Sequence, residues 1–270
     1  MKLHGVLVGI NRYQDERIDT LQYAATDAKR FYGQLVSSLA AEDVSLQLLT
    51  DEQATRKAIL MAIGELLPRQ AGPEDVVLLY FAGHGSPETG EAPDRVSRYL
   101  IAHDTEYEAI FATGLDLERD LIRLVQRILA RLVVVILDTC FSGRAGGRTF
   151  EGPVLHNRRT GFRRLVRPKP RLRDLPLGEG RIILAACDDD EVAHEDGRLR
   201  QGVFTYFLQR ALSNAEEDPS DTSSEATISL SRLYERVAES VVAFTRGLQH
   251  PVLNGRLSLA RLPLLNLPEH

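Results

Sequence analysis

Two stretches of the chain run through six consecutive apolar or aromatic positions without a break, Val76–Phe81 and Leu132–Leu137. A strand with one wet face alternates apolar and polar residues, whereas a strand covered on both faces does not, so these runs predict central strands of a parallel sheet. Shorter β-rich runs at Val6–Ile10, Val44–Leu49 and Arg181–Ala186 predict its neighbours, and Tyr99–Ala102 and Pro251–Gly255 two short additional strands. Between them apolar residues recur at helical spacing. Asp27–Leu39 does so through Ala28, Phe31, Leu35 and Leu39. Thr55–Leu67 does so with Thr55 as N-cap and Pro68 just past its end, and Leu117–Leu129 follows the same pattern. Phe204–Leu212 and Leu230–Phe244 complete the helices. Alternating strands and helices predict an α/β fold: three layers, with a mostly parallel sheet of about six strands and helices on both faces.

The pattern lapses between residues 144 and 181, which contain ten arginines and one lysine and show no period. A gap of this length inside an α/β chain is expected to be a functional loop or a disordered one. A second polar stretch, Glu216–Glu225, is expected to be an acidic surface loop.

The chemistry lies where the two long strands end. Val76–Phe81 leads into Ala82-Gly83-His84-Gly85, and Leu132–Leu137 leads into Asp138-Thr139-Cys140-Phe141-Ser142-Gly143. In open α/β sheets ligands gather at the carboxyl ends of the strands. A thiol and an imidazole delivered there side by side form an activated nucleophile and its general base. The other reading makes Cys140 a small buried core residue and His84 a structural one. Cys187 is expected in the core, and a zinc site from His84, Cys140 and Cys187 is disfavoured because no two of them are closely spaced.

Composition narrows the setting. The chain has 270 residues, 43% of them hydrophobic and 26% charged, with net charge −5 and a pI near 5.9. That balance gives no global basic footprint for nucleic acid. Two cysteines are too few for a disulfide framework and fit a reducing cytosol. No apolar run approaches the roughly 20 residues that span a bilayer, and the first ten residues lack the pattern of a signal peptide. A soluble, cytoplasmic protein without membrane contact is expected.

Tyr80-Phe-Ala-Gly-His-Gly85 together with Asp138-Thr-Cys-Phe-Ser-Gly143 resembles the caspase-like cysteine peptidases, and more closely their metacaspase and bacterial orthocaspase branch. The resemblance extends to Val6–Asn11, Leu21–Ala28, Ala185–Cys187 and Gly202–Tyr206. It implies one caspase-like domain over residues 1–270. Residues 1–143 would match the large subunit, 181–260 the small subunit, and 144–180 would be a processing loop. It implies His84 as general base, Cys140 as nucleophile, and the backbone N–H groups of Gly85 and Cys140 as oxyanion donors. Asp27 and Asp138 match positions that line the first specificity pocket in the metacaspase-like branch, where true caspases place arginines; the Gln-Ala-Cys-Arg/Gln-Gly motif of true caspases is absent. Two carboxylates favour a bidentate guanidinium and also accept an ammonium, so cleavage after Arg, with Lys second, is expected. Ala24 and Ala82 stand where some metacaspases carry Cys and Ser, which leaves the pocket with fewer polar partners.

The Arg-rich loop then reads as a zymogen's processing segment, cut by the enzyme itself or by an upstream protease, with Arg158, Arg159, Arg163, Arg164 and Arg173 as candidate sites. Protein or peptide substrates with basic residues, a monomeric state and a place in a stress, cell-death or antiphage cascade follow by analogy. No cofactor is required. Asp188–Glu191 with Glu195 and Asp196 reads as a solvated loop, an extra acidic wall for basic substrates, or a calcium site, although it lacks the D-x-[DN]-x-[DN]-G spacing of a calcium loop. Two further readings stay open: a catalytically silent caspase-like interaction module, and a nucleic-acid-associated regulator using the basic loop. That loop offers only Phe150 and Phe162 for base stacking.

Overall fold

The protein is described by a computed structural model covering residues 1–87, 97–142, 148, 171–213 and 229–255. In chain order its elements are β1 (Leu3–Gly9), α1 (Ala24–Ser37), β2 (Val44–Thr50), α2 (Arg56–Met61), α3 (Leu67–Gln70), β3 (Val76–Ala82), β4 (Gly85–Pro87), β5 (Arg98–Leu100), α4 (Ile110–Thr113), β6 (Leu115–Asp116), α5 (Arg123–Arg127), β7 (Leu132–Asp138), β8 (Arg181–Ala185), β9 (Glu195–Asp196), β10 (Gln201–Gly202), α6 (Val203–Ser213), α7 (Leu230–Thr245) and β11 (Val252–Gly255).

Six strands form the central sheet in the order β11-β8-β7-β3-β1-β2. All pairs are parallel except β11 against β8. The unbroken apolar runs are explained by burial on both sides. In β3, Val77, Leu79 and Phe81 enter one core while Val76, Leu78, Tyr80 and Ala82 enter the other; in β7, Val133, Val135 and Leu137 oppose Leu132, Val134 and Ile136 in the same way. Helices α1, α6 and α7 cover the second face through Phe31, Leu35, Phe204, Leu208, Leu233 and Val237. The first face is covered by α2, α3 and α5 with the turns that join them, through Ile59, Ile63, Leu67, Leu121 and Val125. The result is the three-layer sandwich expected of a caspase-like fold.

Three local expectations are corrected. Thr55 does cap α2, its side chain accepting the N–H of Ala58. The helical path, however, continues past Pro68 to Gln70, through a widened π turn at Ala62–Leu66. The wider turn relaxes the clash that a proline ring makes with the carbonyl four residues earlier. The helix expected at Leu117–Leu129 opens as a π turn, Leu117–Ile122, and ends at Arg127. Tyr99 does not join the edge of the main sheet. It lies in β5, the middle strand of a separate antiparallel ribbon, β4-β5-β6, that extends the segment after His84.

The chain leaves β1 toward β2 on one side and returns to place β3 on the other, so the strand order reverses beside the carboxyl ends of β1 and β3. A crevice opens at such a reversal. His84 follows β3, Asp138 ends β7, Cys140 follows it, and Asp27 lies in the first turn of α1.

Candidate active site

Register brings the strand ends together. Ala82 pairs with Asp138 across β3 and β7, which sets His84 and Cys140 on adjacent loops. Gly85, directly after His84, packs so closely on the main chain of Cys140 that a methyl group there would collide with the Cys140 carbonyl. Both reactive side chains are buried.

His84 is held from two directions. Its N–H donates to the Tyr13 hydroxyl at 2.8 Å, and the Tyr13 and His84 rings lie 5.3 Å apart. Its Nε2 lies 2.8 Å from the carbonyl of Asp19. Burial lowers its pKa, which keeps the imidazole neutral and able to accept a proton. Cys140 Sγ lies 2.5 Å from the Glu191 carbonyl and 3.1 Å from the Ser142 hydroxyl. The neighbouring Cys187 thiol, followed by Ser142, brings the Cys140 pKa down to about 6, against the opposing effect of burial. Cys187, whose thiol donates to the Glu191 carbonyl at 3.5 Å and the Thr139 carbonyl at 3.7 Å, is itself pushed well up by the neighbouring Cys140 and by burial. Sequence reasoning placed Cys187 in the core, where it is, but not beside the nucleophile.

The two expected oxyanion donors converge on one atom. Gly85 N–H and Cys140 N–H both donate to the carbonyl oxygen of Arg148, at 3.1 and 3.2 Å. The Arg148 N–H donates to the Ala193 carbonyl at 3.0 Å.

The side chain of Arg148 fills the cavity between the two aspartates. Its Nη2 pairs with Asp27, and its Nη1 lies 2.8 Å from Asp138 Oδ2 and 3.1 Å from the Asp138 carbonyl. Arg148, Asp27 and Asp138 are each 0% exposed. A third carboxylate, Glu195, reaches Nη2 at 3.3 Å while accepting the N–H groups of Gln22 and Tyr23 at 3.0 Å each. Asp27 also accepts the Gly202 N–H at 2.9 Å. Asp138 accepts the Thr205 hydroxyl at 2.5 Å, and Thr205 in turn takes the Tyr80 hydroxyl at 2.7 Å. Gly202 makes room: a Cβ there would meet the guanidinium and the Asp138 carboxylate.

Burial pushes the Asp27 carboxyl up to about 6, with Asp138 adding to the rise and Arg148 opposing it. Asp138 is likewise raised by burial and held down by Arg148. The surrounding carboxylates raise the Arg148 pKa against the effect of its own burial. Isolated buried charges are costly, and pairing offsets that cost only in part here, since Asp27 Oδ1, Asp138 Oδ1 and Arg148 Nε are buried without a hydrogen bond.

The remaining acidic residues are bound up elsewhere. Asp189 takes a bidentate pair from Arg98 at 2.6 and 3.0 Å, Asp188 pairs with Arg171 and Arg173, Glu191 with His250, and Asp196 with Arg198. The loop that follows β8 is solvated at Asp190, which is exposed with Arg171 at 4.0 Å, while Asp188 and Asp189 brace it and Glu195 faces Arg148. Among the described residues no group of three or more His, Cys, Asp or Glu side chains is arranged to hold a metal ion. Among them, too, no helix is long and apolar enough to cross a membrane. Of the processing candidates, Arg158, Arg159, Arg163 and Arg164 lie outside the described residues, as does Glu216–Glu225. Arg173 sits in a short 3-10 turn, Leu172–Asp174, bound to Asp188.

The caspase domain family, Peptidase_C14, matches residues 3–260. No curated protein matches the sequence. Among solved structures, the crystal structure of protein GSU0716 from Geobacter sulfurreducens superposes with a TM-score of 0.68 at 16% identity, covering 100% of each chain. At that identity the likeness concerns the fold.

Proposed function

The chain belongs to the caspase-domain family of cysteine peptidases, and from that premise we propose that it is an endopeptidase of the metacaspase-like kind, cutting after arginine through a Cys140–His84 dyad. One observation carries the reading. Arg148 is seated as the residue before a scissile bond would be, with its guanidinium on Asp27, Asp138 and Glu195 and its carbonyl on two N–H donors.

In this reading the Cys140 sulfur adds to the carbonyl carbon of a bound arginine, and its proton passes to His84. The Gly85 and Cys140 N–H groups take the charge that develops on oxygen, where fixed donors are worth about 3–4 kcal/mol each. His84 returns the proton to the leaving amine, and water then hydrolyses the thioester. Three carboxylates suit the planar guanidinium better than the compact ammonium of lysine. The same arrangement supports a latent form, since an incoming substrate and Arg148 need the same pocket.

The test is a set of fluorogenic peptides differing only at the residue before the cut (Arg, Lys, Asp, Ala). Cleavage after Arg that disappears in Cys140→Ala is expected, with Lys weaker and Asp inert. Cleavage after Asp would overturn the pocket assignment.

The pocket also sets a pH dependence. A carboxyl with a raised pKa is neutral below it, so Asp27 loses the charge that holds arginine as the pH falls through about 6. The Cys140–His84 pair, which carries one proton in the working enzyme, takes up a second as the pH falls, and then it neither accepts a proton nor offers a thiolate. Two losses together predict that log(kcat/KM) for an Arg peptide falls with a slope approaching about two below pH 6. Asp27→Asn is expected to reduce that slope by one. A pH profile of both enzymes decides it, and an unchanged slope in the variant would exclude Asp27 from the acid limb.

A further inference from the structure

The expected processing sites at Arg158, Arg159, Arg163, Arg164 and Arg173 all lie C-terminal to Arg148, and Arg148 lies eight positions after Cys140. Any cut at those sites, or behind Arg148 itself, leaves Arg148 covalently joined to the nucleophile's own segment. We propose that Arg148 is a tethered inhibitor that such a cut does not remove, and that the enzyme is switched on when a basic protein chain displaces Arg148 from the pocket. The proposal rests on the reading of the site as an arginine-accepting one.

Every anchoring group of a bound arginine is already occupied. Asp27, Asp138 and Glu195 hold the guanidinium, Gly85 and Cys140 hold the carbonyl, and Ala193 holds the N–H. Cys140 Sγ is meanwhile engaged with the Glu191 carbonyl and Ser142.

Cutting behind Arg148 is itself within the site's reach. The Cys140 sulfur would bond to the Arg148 carbonyl carbon, and the bond to the Thr149 nitrogen would break. That nitrogen would leave as an amine carrying the proton from His84. Water would then divide, its oxygen ending in the Arg148 carboxylate and a proton returning to the dyad. The product is a C-terminal arginine still in its pocket. An ordinary peptidase loses its product by diffusion; here an eight-residue tether maintains an effective concentration in the millimolar range. Release requires competition by another basic chain, or a cut between Cys140 and Arg148.

The test compares wild type with Arg148→Ala and Arg148→Gln in steady-state hydrolysis of an Arg peptide, before and after limited trypsin nicking, with the nick positions read by mass spectrometry. A KM about tenfold or more lower in both variants is expected. So is an unchanged wild-type KM once nicked C-terminal to Arg148. Variants with wild-type or lost activity, together with wild type activated by such a nick, would overturn the proposal in favour of activation by cutting.

Agmatine binding, measured by calorimetry in the Cys140→Ala background, separates this question from the peptidase reading. Tighter binding of about tenfold or more when Arg148 is also replaced supports the inhibitor even if no peptide is cleaved, whereas equal binding sinks it. Removing Arg148 leaves two buried carboxylates without their cation, so both variants are expected to melt lower at neutral pH and to be restored by agmatine. Failure of agmatine to raise their Tm would likewise count against the proposal.

Discussion

Cys140→Ala is expected to lower kcat for an Arg peptide by about 10^4-fold or more while leaving the fold intact. In acyl transfer through a nucleophile and its base, the remaining site supplies binding and oxyanion donors but no covalent route, and losses of this size follow. His84→Ala is expected to fall almost as far. The double variant should be no worse than the worse single one, because nucleophile and base act as a unit and their effects do not add. Steady-state kinetics on purified enzyme, with circular dichroism to check folding, decides the point. Residual activity of a tenth or more in Cys140→Ala would remove Cys140 from the chemistry and return it to the core, where its burial alone would also fit.

The next largest effect is expected from Asp138→Asn. The substitution keeps the shape of the side chain and removes one of the charges facing the guanidinium. Breaking a buried, hydrogen-bonded ion pair costs about 3–5 kcal/mol, because the partner is left charged and poorly compensated. For an Arg peptide, measured in the Arg148→Ala background so that the tethered arginine is not weakened in step, this amounts to a loss of about 10^2 to 4×10^3 in kcat/KM. The effect should be selective. Asp138 lies one residue before Thr139 and two before the nucleophile, so a merely structural disturbance would slow every peptide alike. Loss of a pocket charge should instead slow the Arg peptide far more than the Ala peptide. Comparing the two ratios reads the difference, and an equal fall in both would assign Asp138 to the loop and not to the pocket. Thr205, which donates to the same carboxylate, is expected to give a smaller effect in the same direction when changed to Val, rescued by Ser.

The strands and the reactive pair were legible because the signals are local. Val76–Phe81 and Leu132–Leu137 are too apolar for anything but doubly covered strands, and three positions after each stands a residue whose side chain suits nucleophile-and-base chemistry, His84 and Cys140. Asp27 and Asp138 were legible only through resemblance, since an aspartate in a first helical turn or at a strand end has ordinary structural uses. Arg148 was not legible. Nothing in its neighbours separates it from the other nine arginines between 144 and 181, and what singles it out is a distance to two carboxylates that are 121 and 10 residues away. Glu195 was read as part of an acidic run, yet its neighbours Asp188 and Asp189 pair with Arg98, Arg171 and Arg173, and of that run it alone reaches Arg148. Gly202 was noticed as part of a motif, but the room it leaves is visible only with the guanidinium in place. Pro68 misled for a physical reason: a proline marks a helix end only where the turn before it is a regular α turn, and here that turn is widened.

The arginine pocket draws on α1, β7, β9, β10 and α6, that is, on residues from Asp27 to Thr205. His84 and Cys140 are complete much earlier in the chain. During synthesis, therefore, nucleophile and base leave the ribosome before Glu195, Gly202 and Thr205 have been joined to the polypeptide. Parallel pairing over such separations is slow to form, because loop-closure entropy must be overcome before the contacts return anything. On the proposed reading, a nascent or partly unfolded chain carries the thiol but no finished pocket, so cleavage after arginine waits until the residues of the small-subunit-like part have joined the fold. Asp27, the earliest pocket residue, stays uncommitted until the strand and helix of the small-subunit-like part dock against it.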